Sequence, residues 1–275
     1  ESIKSDINRI GIGCDVNEMP FFIVKTLLNK SFNENLNDYL NEFIQKIKLL
    51  EELYETTCPN CMERAIITKC VFDKPERNSN NIILKTINYR CHACGARGTK
   101  QPDIDDYNSM CKTYKCKTVS NNFLLKNSKI AVGDNDSVKN IFTSRNFYVL
   151  DQIVSIINDY PETIKDLLRY ILMSILHLCK ITDKHSNSQW PLWIPKRDCV
   201  EKNIITILVK KCTSFKGAAS FVRANYFSES VVNKFQDLQI NKCMLLQKGS
   251  QYINEVEVPN DSVSLIITDP PYLEQ

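Results

Sequence analysis

Asp269-Pro270-Pro271-Tyr272 follows directly on the apolar run Val263-Ser264-Leu265-Ile266-Ile267-Thr268. These residue types suit one kind of chemistry. An amine conjugated to a heterocycle is a poor nucleophile. A carboxylate and a backbone carbonyl that accept its two hydrogens draw the nitrogen toward tetrahedral geometry and aim its lone pair at an electrophile. Proline stiffens the loop that offers the carbonyl, and a tyrosine ring can stack on a base turned out of its duplex. The plain alternative is a turn in which Pro-Pro stops a strand and Tyr272 packs locally.

A second chemistry lies in Cys58-x2-Cys61 and Cys91-x2-Cys94. Two such pairs with β-like sequence between them bring four thiolates tetrahedrally around zinc, and a closed four-sulfur shell is structural rather than catalytic. Gly95 suits the tight turn after the second pair. Cys70, Cys111 and Cys116 could join or replace a ligand, and His92, between Cys91 and Cys94, could compete as one. Cys179, Cys199, Cys212, Cys243 and His177 fall in apolar patterns and read as core.

A third candidate is Asp15, which ends the run Arg9-Ile10-Gly11-Ile12-Gly13-Cys14, read as a short buried strand. An acid there can hold both hydroxyls of a ribose, although many strands end in an acid with no such role. Gly11-x-Gly13 lies inside the strand and lacks a third glycine before a helix, so it is not a dinucleotide fingerprint.

The elements that must position these groups alternate between strand and helix. Helical spacing of apolar residues predicts helices over 20–30, 34–55, 138–158, 162–180 and 199–214, and another over 228–238 that starts at Ser228. Strands are expected at 82–89, 242–247 and 263–268. Residues 101–137 read as a polar connector, and Trp190 to Pro195 as a loop. A β-α opening and a β-rich close indicate an α/β protein.

The 275 residues carry a net charge of only +3. Its distribution is uneven: residues 58–130 hold 13 Lys and Arg against 6 Asp and Glu. A polyanion would be drawn to that stretch, though a solvated basic surface reads the same way. The twelve cysteines, spread along a chain with no signal peptide or membrane-length apolar run, fit metal binding in a reducing cytoplasm.

The segment Asn260 to Tyr272 closely resembles the catalytic motif of DNA amino-methyltransferases. The resemblance implies a partial Rossmann-like methyltransferase sheet, with S-adenosylmethionine as the methyl donor, interrupted by a zinc-ribbon and helical insertion. It implies that Asp269 and the Pro270 carbonyl bind the target amine, that Pro271 completes the loop and that Tyr272 stacks on the flipped base. Asp15 matches the family's ribose-binding acid, with Asn17 in the same segment. The family's next strand usually ends Gly-Asp; here Ser250 stands in the acid's place, so Ser250 or Gln251 would meet the cofactor's adenine. Asp at the head of the motif implies N6 of adenine in DNA. Cytosine N4, RNA and protein glutamine are the other acceptors to weigh, and a non-catalytic zinc-ribbon nucleic-acid-binding protein is the reading from another class.

On this basis residues 1–55 and 226–275 form two parts of the methyltransferase domain, 56–100 the zinc ribbon, and 101–225 a connector and helical insertion. DNA is the expected partner, held by the basic zinc module. No membrane is expected, and a restriction-system partner is compatible with the family. The family's glycine-rich turn is expected just before Glu1. The 275 residues alone are therefore expected to be inactive.

Overall fold

The computed structural model describes residues 9–28, 35–76, 81–122, 124, 134, 136–184, 196–225 and 231–268. In chain order the elements begin with β1 (Gly11–Cys14), α1 (Glu18–Leu28), α2 (Leu36–Lys48), β2 (Glu55–Thr57), β3 (Arg64–Asp73), β4 (Ile83–Cys91) and β5 (Arg97–Lys100). There follow α3 (Ile104–Cys111), α4 (Ser144–Asn158), α5 (Glu162–Met173), α6 (Leu176–Cys179), β6 (Thr182–Asp183) and β7 (Cys199–Lys202). The chain closes with α7 (Ile204–Asn225), β8 (Val231–Val232) and β9 (Cys243–Leu246). The result is a mixed α/β protein. It divides into two compact units, one of residues 1–33 and 219–275, the other of 34–218.

The first unit holds a small parallel sheet in the order β1-β9-β8. Gly11 to Cys14 pair in register with Cys243 to Leu246, so both strands end at the same edge. Asn17 caps α1: its Oδ1 accepts the Met19 amide at 3.0 Å, and Pro20 falls in the first turn, where its missing N–H costs little.

The second unit is built on an antiparallel sheet, β5-β4-β3-β7-β6, with β2 paired to β3 as well. β2 and β7 occupy successive stretches of one β3 edge while β4 covers the other. α2 buries Leu36, Leu40, Phe43 and Ile47, and α5 buries Ile164, Leu167, Leu168, Ile171 and Leu172, each a stripe at helical spacing.

Between α4 and the sheet lies a fully buried ion pair of Arg145 and Glu201. Thr143 donates to the Glu201 carboxylate at 2.6 Å, and Arg145 also donates to the Leu53 carbonyl and the Ser109 hydroxyl. Tyr54 lies under the guanidinium and donates to Asn146, whose amide reaches the carbonyls of Cys179 and Lys202. Nearly every polar atom in this knot has a partner, as burial demands. Asp151, also buried, accepts the backbone amides of Lys117, Thr118 and Val119 and so fixes the middle of the polar connector.

Several expectations change. Residues 263–268 form no strand; Leu265, Ile266 and Ile267 are 74–87% exposed. A strand exists only through its ladder, and both edges of β9 are taken by β1 and β8. Residues 231–237 are not helical but give β8 and a 3-10 turn, because the free edge of β9 captures Val231 and Val232. Residues 199–202 are strand rather than the start of a helix, paired with β3. The polar connector contains α3, held by a capping box between Asp103 and Asp106. β1 is half-buried rather than buried, and His177 is exposed rather than core. Ser228 and the Trp190 to Pro195 loop lie outside the described residues.

Candidate functional site

The four cysteines Cys58, Cys61, Cys91 and Cys94 converge, their sulfurs all within 4.8 Å of one another. Cys58 Sγ lies 3.8 Å from Cys94 Sγ, and Cys61 Sγ lies 3.6 Å from Cys91 Sγ. A tetrahedron of sulfurs about 2.3 Å from zinc has edges of about 3.8 Å. The spacing therefore fits a metal such as zinc.

The backbone explains why the thiols meet. The Cys58 amide donates to the Glu63 carbonyl and the Cys91 amide to the Ala96 carbonyl, the same reach in each pair. The residue after each second cysteine takes positive φ, Met62 at 63° and Gly95 at 76°. The two knuckles are thus equivalent turns, one with the glycine the geometry favours and one without it. β3 and β4 bring them together through the pairing of Ala65 with Cys91.

Electrostatics point the same way. Burial pushes the Cys58 thiol up, but the amides of Asn60 and Cys61 outweigh it and bring it down to about 7. For Cys61 the Glu63 amide pulls down, while burial and the three neighbouring thiols push it up to about 12. A cation among the sulfurs would offset the repulsion that holds Cys61 protonated. Cys70 belongs elsewhere: it is buried against Arg145, and burial raises its thiol well above the ordinary range. Cys111 and Cys116 stand outside the cluster, and His92 is exposed beside it.

The second candidate region is the carboxyl edge of the parallel sheet. The Asp15 amide donates to the Leu246 carbonyl at 3.1 Å, extending the ladder one step beyond β1. Asp15 is exposed there, one oxygen accepting the Asn17 amide at 2.7 Å. Beyond β9 the chain turns through Lys248, bonded to Glu257, into a 3-10 turn at Ser250–Tyr252. Ser250 and Gln251 are exposed. Parallel pairing therefore brings Asp15 and the Ser250 turn to the same edge of two neighbouring strands. Asn17 faces a different task, since its side-chain oxygen is committed to the helix cap. Asp269, Pro270, Pro271 and Tyr272 lie outside the described residues.

Sequence reasoning missed the Arg145–Glu201 knot and the Asp151 carboxylate. The one signal was a charge at a position the helical pattern marks as apolar: Arg145 and Asp151 sit on the buried side of α4.

Among the described residues no helix is long and apolar enough to cross a membrane. No known protein family matches the chain, nor does any curated protein or solved structure.

Proposed function

We propose that the chain is a zinc-containing, S-adenosylmethionine-dependent methyltransferase acting on an exocyclic amine in DNA, most specifically N6 of adenine. The observation that carries this reading is the parallel pairing of β1 with β9, which sets Asp15 and the Ser250 turn side by side at one carboxyl edge. In a doubly wound sheet of order 3-2-1-4, strands two and three are parallel neighbours and ligands bind at their carboxyl ends. In that order the strand carrying the catalytic loop pairs with the first strand and not with β9.

S-adenosylmethionine would supply an electrophilic methyl group on a sulfonium. Asp15 would hold the ribose hydroxyls and Ser250 or Gln251 the adenine. Asp269 and the Pro270 carbonyl accept the hydrogens of the target amine, and Tyr272 stacks on its ring, so that nitrogen meets methyl in line. No covalent enzyme intermediate is needed. The four-cysteine module is read as a zinc ribbon, structural in role, in a cytoplasmic protein whose partner is DNA.

The test is calorimetric titration of the full-length protein with S-adenosylmethionine, paired with radiolabelled methyl transfer to DNA and to RNA. Binding that is lost in Asp15→Ala, with label recovered as N6-methyladenine, is the expected result. Label on RNA or protein moves the acceptor. No binding at all favours a second reading, a zinc-ribbon nucleic-acid-binding protein without catalysis, to which Ser250 in place of an acid gives support.

A further inference from the structure

Two like-charge pairs stand directly opposite each other on one side of the antiparallel sheet, where Arg90 and Arg97 are exposed and Lys69 and Lys202 half-buried; further along the same side Val71 and Val200 are buried. Arg90 on β4 faces Arg97 on β5, and Lys69 on β3 faces Lys202 on β7. The register puts all four on one side. Asn88, two residues from Arg90, is opposite both Lys69 and Thr99. Ile87, Tyr89, Cys91 and Cys70 alternate with them and are buried on the other side, where Arg145 meets Cys70 and Glu201.

Like charges directly opposite in an antiparallel pair are destabilising, so this face gives up stability twice. Among the described residues no ion pair joins any of the four cations to a carboxylate. Glu55, opposite Ile66, is engaged by Arg64, and Asp73 at the far end by Lys85. Beside the cations lie Ile66, opposite Arg90, and a polar strip in which Asn88 donates to Thr99 and Thr68 donates to the Asn88 carbonyl.

We propose that this face docks the sugar-phosphate backbone of duplex DNA, with Arg90, Arg97, Lys69 and Lys202 each meeting a phosphate. The inference rests on the reading of DNA as substrate and adds the surface that holds it. Charge complementarity names a polyanion, and composition narrows it. Single strands are gripped by aromatic platforms, yet Tyr89 and Phe72 belong to the buried face. Strands about 4.8 Å apart spread the four cations over roughly 14 Å from β5 to β7, enough to span several phosphates of a duplex.

The experiment is fluorescence anisotropy of a labelled duplex with the full-length, zinc-loaded protein across a salt series. Arg90→Gln with Arg97→Gln should lower the log–log salt slope by about 1.8, as should Lys69→Gln with Lys202→Gln, at about 0.9 per lost phosphate contact. The fourfold variant should bind at least about tenfold more weakly at low salt. Its thermal midpoint should hold or rise, because repulsion has been removed, which separates binding from folding. A fourfold variant with the parent's slope overturns the proposal, as does single-stranded DNA or duplex RNA that competes better than duplex DNA. S-adenosylmethionine titration of the same samples keeps the two readings apart: slope loss without cofactor binding sinks the methyltransferase and leaves the docking face standing.

Discussion

Arg145 and Glu201 form an ion pair with side-chain exposures of 0% and 1%, inside a knot that ties α4 to β7. Burial works against the charged guanidinium, yet Glu201 outweighs it and holds Arg145 protonated more firmly than usual. Removing one partner leaves the other charged and unpaired. Arg145→Met or Glu201→Gln should each cost about 3–5 kcal/mol, whereas Arg145→Met with Glu201→Leu should cost less than either alone. Urea midpoints of the three variants decide it; a double variant weaker than both singles refutes the account.

Zinc should be present at one ion per chain by elemental analysis. Cys91→Ser should lose it and unfold the sheet around the knuckles, since structural zinc sites of this kind contribute about 10 kcal/mol or more. Because zinc needs thiolates, uptake releases protons and acidification weakens binding. Chelator competition at falling pH checks the sign.

The two knuckles differ at the residue after the second cysteine, Met62 in one and Gly95 in the other. Gly95→Ala forces a side chain into positive φ and should destabilise by about 1 kcal/mol. Met62→Gly relieves the same conformation and should be neutral or stabilising by under about 1 kcal/mol. Opposite shifts of the thermal midpoint are expected; equal losses at both sites would show that the turns are not equivalent.

Asp103 and Asp73 set an acid limit. Burial alone would raise the Asp103 carboxyl, but Lys100 and the Asp106 amide hold it below its usual value. At Asp73 burial likewise opposes, and Lys85 with the Asp198 amide prevails. A depressed folded pKa gives stability that is present above the unfolded value of about 3.9 and lost as pH falls through the folded one. Stability should therefore drop below about pH 4, and Asp103→Asn should flatten that acid slope.

Asp15 and Asn17 should separate cleanly. Asn17→Ala removes a helix cap and should cost about 1 kcal/mol of stability. Asp15→Ala should instead abolish S-adenosylmethionine binding with little change in the thermal midpoint. The reverse pattern would assign the cofactor contact to Asn17.

What could be read from the sequence was whatever depends on near neighbours. The stripes of α2 and α5 are set by 3.6-residue spacing, and the knuckles by two cysteines three apart. Residues whose state depends on a distant partner were misread. Val200 and Lys202 became strand because β3 offered an edge, and buried Glu201 hid the alternation that marks a strand. Val231 and Val232 were drawn to β9 against a locally helical pattern. Apolar composition was no safer a guide: Leu265, Ile266 and Ile267 have the make-up of a buried strand and no ladder to join.

The sheet of the second unit is stitched from segments far apart in the chain. Asn203, just beyond β7, donates to the Ile67 carbonyl across 136 residues of sequence. During synthesis the cysteine knuckles can close early, since β3 and β4 are a hairpin's length apart, but the Lys69 to Phe72 stretch of the other β3 edge, beyond the part that β2 covers, stays open until β7 has left the ribosome. Closing so long a loop is slow, and an open edge is an invitation to foreign strands. A nascent chain stalled before residue 199 would thus carry a finished metal knot beside an unguarded edge, making the late arrival of β7 the step that decides between folding and aggregation.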